Sequence, residues 1–401
     1  MSQPLLAALQ PPPADPILAL GSLFAADTRP NKLDLGIGVY KDEAGETPIM
    51  LSVKQAERQL LASRTTKRYV GARGDRQFAA AMLDVTFGAA TEASRIASLQ
   101  APGGTGALRI LAQLLAEARP KATVWLASPT WLNHQAIFAA VGLKTAYYPY
   151  YDTEQSTVRF DSLCDRLGSA TPGDVVLLHG CCHNPSGADL DEAQWRTLAT
   201  LFLERDLIPF VDIAYQGFGR GLDEDARGLR ILAARLPELL AASSCSKNFG
   251  LYSERVGCAL VLARNPREAE IAAARMTVHA RTIYSMPPDH GAAIVRTILE
   301  DVDLLTNWHD ELTSIREDMN EKRARLAEAF LQASGSDEFA YLAHGFGMFS
   351  LLKLSRAQIE EARAAFGIYI VEDGRINVAG LPVARIDAFV ESILTIRKSP
   401  H

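Results

Sequence analysis

The sequence predicts an α/β fold: a large domain on a mostly parallel sheet covered on both faces, joined to a smaller α+β domain. Three patterns carry that prediction. From about residue 100 to 263, short apolar runs alternate with amphipathic stretches, which is how a parallel sheet with crossover helices reads. Over much of 300–333 a single long amphipathic helix is expected, with Trp308, Leu312, Ile315 and Met319 recurring at steps of four, three and four. Beyond it the pattern changes to strands near 339–354, a helix at 355–366, strands at 368–379 and a last helix at 383–397.

Taken in order, residues 1–14 are proline-rich, lack periodicity and read as an arm. Asp15-Pro16 is a helix start, because an aspartate satisfies free N–H groups of the first turn and proline fits the first helical position. Ile17, Leu18, Leu20, Leu23 and Phe24 are expected on one face of that helix. The apolar stretch 33–40 contains Gly36 and Gly38, where backbone approaches something closely. A helix at 53–63 and a loop at 65–74, with Tyr69, Gly71 and Gly74, come next. A helix at 106–118 presents Leu108, Leu111, Leu114 and Leu115 and stops at Pro120. Strands follow at 123–127, 174–179, 207–212, 239–243 and 257–263, with a helix at 191–204 between the second and third. The expected division is an arm at 1–14, a small domain made of 15–46 and 316–401, and a large domain at 47–315.

Composition narrows the class of protein. The chain has 401 residues, 48% hydrophobic and 22% charged, with a net charge of −6. That describes a soluble globular protein with no footprint for nucleic acid or an anionic membrane. No apolar run approaches the roughly 18 residues of a membrane span. No lysine or arginine precedes Arg29, which argues against a signal or transit peptide. The five cysteines are odd in number and lack metal spacing. Cys181, Cys182 and His183 are consecutive, and neighbours on a strand or turn are expected to point apart, so no metal site is assigned. A reducing, cytoplasmic compartment fits best.

Ligands of open α/β sheets bind beyond the carboxyl ends of the strands, so candidate ligand-binding residues are expected there. Before the 106–118 helix stands Pro102-Gly-Gly-Thr-Gly106, whose backbone N–H groups suit a phosphate. It fails the dinucleotide pattern, because Arg109 stands where a third glycine would fall. Trp131 follows the next strand and offers a flat ring for stacking. His183-Asn-Pro-Ser-Gly187 is a turn that aims Asn184. Asp212 ends an apolar strand, where a carboxylate is costly unless it meets a cation or strong donors, and Tyr215 lies three residues on. The last end delivers Ser244, Ser246, Lys247 and Arg255. Alone, Lys247 reads as an ordinary loop lysine. Beside an aspartate, a tyrosine, an asparagine, a stacking ring and a phosphate cradle, it reads as the base-forming lysine of a pyridoxal phosphate site.

These motifs resemble those of the aspartate and aromatic aminotransferases, the class I branch of fold-type I pyridoxal phosphate enzymes. The resemblance runs from Leu35-Gly-Ile-Gly-Val-Tyr-Lys-Asp-Glu43 through Gly103-Gly-Thr-Gly-Ala107, His179-Gly-Cys-Cys-His-Asn-Pro185, Asp212-Ile-Ala-Tyr-Gln-Gly-Phe218 and Ser244-Cys-Ser-Lys-Asn-Phe-Gly250 to Gly374-Arg-Ile-Asn-Val-Ala-Gly380. It implies a seven-stranded sheet in the large domain and a homodimer with shared active sites. It further implies that Lys247 carries the cofactor as a Schiff base and shuttles protons, that Asp212 pairs with the ring nitrogen, and that Tyr215 and Asn184 bond the phenolic oxygen. Trp131 would stack on the ring, and His134 would support Asp212. Gly104, Thr105, Ser244, Ser246 and Arg255 would hold the phosphate, with Tyr69 reaching in from the neighbouring subunit. Arg375 matches the clamp for the substrate α-carboxylate. Arg281 matches the residue donated across the dimer to a distal carboxylate. Gly38 would let the chain close over the substrate.

The implied reaction is ping-pong transamination of amino acids and 2-oxo acids. Val39, Lys41, Thr47 and Thr105 match aspartate-preferring members, whereas Arg68 and Met286 depart from them. The segments 47–50, 242–247 and 366–370 resemble bacterial aromatic aminotransferases. That favours use of both aromatic amino acids and aspartate over strict aspartate use. Ser186 stands where threonine is commoner and keeps the hydroxyl. Another fold-type I reaction, decarboxylation or β-elimination, is disfavoured by the paired carboxylate clamps Arg281 and Arg375. A transcription-regulator effector domain would need a DNA-binding segment longer than the first 14 residues.

Overall fold

The computed structural model describes residues 15–89 and 91–398, together with Leu6 and the segment 9–11. Most of the expected arm lies outside the described residues. The main sheet has seven strands among the described residues: Ile96–Pro102 (β1), Thr123–Ser128 (β2), Lys144–Pro149 (β3), Val175–His179 (β4), Ile208–Ile213 (β5), Leu239–Ser244 (β6) and Val256–Leu262 (β7). Their spatial order is β1-β7-β6-β5-β4-β2-β3. β7 runs antiparallel to both its neighbours, and the other pairings are parallel. The carboxyl ends of β2, β4, β5 and β6 therefore share one edge.

Side chains alternate across a strand, and each central strand is apolar on both sides. Leu239, Ala241, Val211 and Leu178 join one core. Leu240, Ala242, Phe210 and Leu177 join the core on the opposite face. Burial on both faces is what a parallel sheet covered by helices requires. The helix Glu192–Arg205 starts at Asp191, whose carboxylate accepts from Gln194 N while the Gln194 side chain reaches back, a capping box. The first helix, Pro16–Ala26, is capped by Asp15 as expected. Its face is narrower than expected: Leu20 is buried, but Leu18 is 73% and Leu23 48% exposed.

The long helix spans Val302–Ser334. Trp308, Leu312 and Met319 are buried in the sheet core, and Leu326 and Phe330, further along, lie in a separate core with the C-terminal elements. Trp308 stacks on Phe249 at 4.3 Å and donates to Asn248 O at 2.7 Å, so the helix is anchored just after Lys247. The C-terminal part departs from the expected pattern. In place of strands over most of 339–354 there is a short helix, Tyr341–His344, and a strand only at Phe349–Leu351. That strand pairs antiparallel with Arg375–Asn377. Leu33–Asp34 pairs in parallel with Ile368–Tyr369, which joins the early chain to the C-terminal part.

Candidate active site

The shared edge of the sheet opens into a cavity of about 260 Å³. Every residue expected to touch cofactor or substrate lines it except Tyr69 and Arg281. Lys247 leaves β6 and holds its amine 5.1 Å above the centre of the Tyr215 ring. Burial lowers the Lys247 pKa to about 8, opposed by the Asp212 carboxylate and assisted by the Arg255 charge. A lysine near that value keeps a fraction of neutral, nucleophilic amine at neutral pH.

Asp212 is buried near the end of β5. Its Oδ2 accepts from His134 Nε2 at 2.9 Å. Its Oδ1 is buried and has no partner. Behind His134 runs a chain absent from the sequence-based expectation: His134 Nδ1 lies 2.8 Å from Thr130 Oγ1, which lies 3.0 Å from His179 Nε2. Burial holds His179 down to about 3, so it is neutral. With His134 neutral, one proton arrangement satisfies the chain. His179 donates to Thr130, Thr130 donates to His134 Nδ1, and His134 donates to Asp212. The signal for Thr130 was its place four residues before His134, and for His179 its place at a strand end.

Asn184 joins two other members. Its Oδ1 accepts from Arg375 Nη1 at 3.2 Å, and its Nδ2 donates to Tyr215 Oη at 3.4 Å. Burial pushes the Tyr215 phenol up, so it stays protonated. Arg375 Nη2 donates to Gly36 O at 2.7 Å, while its Nε is buried and unpartnered. Phe349, also unforeseen, packs its ring 4.4 Å from the Arg375 guanidinium. A Cβ on Gly38 would come within 2.8 Å of that ring, which is why a glycine stands there.

On the other side lies an anion cradle. The helix expected at 106 begins at Gly103 instead, so Gly104 and Thr105 sit in its first turn, where N–H groups lack intrahelical partners. Gly103 has φ +75°, and a Cβ there would strike the Arg255 guanidinium; a Cβ on Gly104 would lie 3.1 Å from Ser244 Cβ. Arg255 Nη1 donates to Ser246 Oγ at 3.2 Å, and Ser246 N donates to Ser244 Oγ at 3.2 Å. Trp131 sets its ring edge-on to His134 at 5.2 Å.

Two expected members lie elsewhere. Tyr69 is 90% exposed, and Arg281 is exposed at the end of the helix Pro266–Ile283. Their segments meet: Val70 N donates to Met286 Sδ at 3.1 Å.

The cysteines need one correction. Cys181 and Cys182 do not point apart. With Cys182 in a left-handed conformation (φ 51°), both sulfurs and an Asp225 oxygen lie within 4.8 Å of one another. Asp225 already accepts from the N–H groups of Gly217, Gly219 and Arg220. The Cys181 thiol is pushed up by the contact with Cys182 and by burial, and Cys182 by burial to about 12. Thiols so held are poor ligands, and Asp225 serves the turn. Cys245 packs fully inward beside Met82.

A lysine of lowered pKa, an unpartnered buried carboxylate oxygen and a backbone-lined dianion cradle define a pyridoxal phosphate enzyme. The lone Asp212 Oδ1 suits a protonated ring nitrogen, and the cradle suits the phosphate. The family profile for aminotransferase class I and II matches residues 30–393. The chain is 48% identical to the tyrosine aminotransferase of Rhizobium meliloti (strain 1021) over 92% of its own length and 94% of that protein. It is 45% identical to the aspartate aminotransferase of Escherichia coli (strain K12), covering 96% of this chain and 98% of that one. The aromatic-amino-acid aminotransferase of Burkholderia pseudomallei, solved covalently bound to pyridoxal phosphate, superimposes with a TM-score of 0.96 at 38% identity, over 99% of this chain and all of that one. The chain belongs to the class I and II aminotransferases, and its cofactor is pyridoxal 5'-phosphate.

Proposed function

We propose that this enzyme moves amino groups between aromatic amino acids or aspartate and 2-oxoglutarate in two ping-pong half-reactions. The observation that carries the reading is the cavity itself: Arg375, with a free Nε for a carboxylate, shares it with the amine of Lys247 and the apolar side chains of Ile17, Leu108 and Phe349. When bound, the cofactor supplies an electron sink for the carbon that loses its proton.

The chain's own residues do the rest. Lys247 holds the cofactor and, once displaced, takes and returns the substrate α-proton at Nζ. Asp212 Oδ1 receives the ring N–H, held in place by the donors His134, Thr130 and His179. Tyr215 and Asn184 bond the phenolic oxygen. Gly104, Thr105, Ser244, Ser246 and Arg255 take the phosphate, and Trp131 covers the ring. Arg375 orients the α-carboxylate as a planar fork.

The working unit in this reading is a homodimer in which Tyr69 and Arg281 serve the partner's cavity. Support comes from their exposure on adjoining segments, where Ile283, two residues after Arg281, is also exposed. The small domain of 15–46 with 316–401 is supported by the pairing of Leu33–Asp34 with Ile368–Tyr369 and by the separate C-terminal core. A cytoplasmic site is supported by five free cysteines, and no described helix is long and apolar enough to cross a membrane.

The deciding experiment follows the cofactor's absorbance while aspartate, glutamate, phenylalanine and tyrosine are added singly to the holoenzyme. Bleaching by phenylalanine or tyrosine as well as aspartate is expected. Bleaching by the two dicarboxylates alone would leave strict aspartate use.

A further inference from the structure

Arg323 lies inside the long helix with no exposed surface, and it forms no ion pair among the described residues. Its charge is met by carbonyl dipoles. The guanidinium donates to the oxygens of Leu342 (3.2 Å), Phe346 (3.2 Å), Gly347 (2.8 Å) and Phe349 (2.5 Å), and to Ser350 Oγ (2.7 Å). One side chain thus gathers the whole turn that leads into the Phe349–Leu351 strand. Burial lowers its pKa only to about 10, so it stays charged.

The gathered turn is pressed against the turn that carries Asn184. Phe346 N donates to Gly187 O at 2.7 Å. A Cβ on Gly345 would come within 2.7 Å of Arg323 Nη1, and one on Gly187 within 3.1 Å of Nη2. A buried cation hydrogen-bonded to carbonyls and a hydroxyl, with Asp189 near but not paired with it, is a costly way to fill space, since apolar side chains pack as well without the desolvation penalty. What apolar side chains cannot do is align several carbonyls of one irregular turn.

We propose that Arg323 is a positioning residue for the carboxylate clamp. By fixing the backbone of 342–350 it holds the Phe349 ring against Arg375, and so keeps the free Nε of Arg375 aimed at the carboxylate of a 2-amino or 2-oxo acid. The proposal rests on the reading of Arg375 as that clamp.

The test compares holoenzymes carrying Arg323→Lys, Phe349→Leu, both changes, and Arg375→Lys, with aspartate and 2-oxoglutarate as substrates. Lysine keeps the charge but lacks the fork. Arg323→Lys is expected to raise both KM values about tenfold with kcat within about threefold, which is loss of binding rather than of chemistry. The cofactor's absorbance and its pH titration should not move. The double variant should be no worse than the worse single one, because both changes act through the same ring.

Unchanged KM values, effects that multiply in the double variant, or a shifted cofactor titration would overturn the proposal. If Arg323→Lys fails to fold, Ser350→Ala takes its place, with a rise in KM of about threefold expected and none counting against the idea. If Arg375→Lys leaves KM unaltered, the clamp reading itself falls and takes this one with it. If Arg375→Lys raises KM and Arg323→Lys does not, only the role of Arg323 is lost.

Discussion

His134 donates to Asp212 Oδ2 at 2.9 Å and leaves Asp212 Oδ1 buried without a partner. One carboxylate thus has one oxygen fixed by the protein and the other free, which in the proposed reading takes the cofactor. A protonated ring nitrogen needs a negative partner, and in that reading Asp212 would supply it already oriented.

Asp212→Asn should therefore bind the cofactor and react poorly. The amide cannot hold the ring proton, and loss of a buried charged partner is worth about 3–5 kcal/mol, or 10²–10⁴-fold in kcat/KM. Steady-state rates with aspartate test this. A loss smaller than tenfold would remove Asp212 from the proposed role.

The support behind Asp212 has a pH signature. His179 titrates near 3 in the folded chain and near 6.5 unfolded. Between those values the unfolded state binds more protons, so this group's effect is to lower stability as pH falls from about 6.5 toward 3. His179→Asn should lose less stability than the parent between pH 6.5 and 4, by on the order of 2 kcal/mol. Urea unfolding of the apoenzyme at the two pH values measures it, and parallel losses would refute the assignment.

Burial depresses Lys247 in the same direction, and there the consequence is chemical. The neutral amine attacks the cofactor aldehyde, so the rate of cofactor capture by the apoenzyme should rise with pH and level off above about 8. Stopped-flow absorbance would show it, and a rate still rising steeply at pH 10 would mean the amine is not depressed. Lys247→Ala should capture no cofactor covalently and show no turnover with aspartate.

The two arginines should separate by substrate. Arg375→Ala leaves an α-carboxylate unpaired and should cost about 3–5 kcal/mol in kcat/KM for every substrate. Arg281→Ala should damage aspartate turnover far more than phenylalanine turnover. Equal losses would argue against its reading as a distal-carboxylate group.

Stability away from the cavity offers a further check. Glu311, on the long helix, accepts from Ser52 N at 3.0 Å and Ser52 Oγ at 2.6 Å, and so caps the helix Leu51–Ser63 from outside its own sequence. Glu311→Ala should destabilise the fold by about 1–2 kcal/mol. Calorimetry reads it as a lower Tm, and an unchanged Tm would show the cap to be idle.

By itself the sequence determined five of the seven strands of the central sheet, the long helix and the group of strand-end residues. Those rest on short-range rules: alternation, helical periodicity and a chain that leaves each strand at the same edge. It missed the strands Ile96–Pro102 and Lys144–Pro149 and the helices Arg76–Phe87, Leu222–Arg235, Pro266–Ile283 and His290–Glu300, although Ala226, Leu229 and Ala233, and likewise Ile294 and Ile298, recur at helical spacing. It overestimated the strands after 338, where Arg323 on the long helix holds the carbonyls of a turn.

Only the tertiary structure decided how the site's atoms are shared out. Which oxygen of Asp212 is free, that Thr130 and His179 stand behind His134, and that Phe349 lies on Arg375 depend on contacts between segments far apart in the chain. The left-handed turn that swings Cys182 toward Cys181 is of the same kind, since a residue adopts that conformation when its surroundings hold it there. Residue types mark where chemistry gathers; burial and the neighbours that burial brings determine which atoms remain free to perform it.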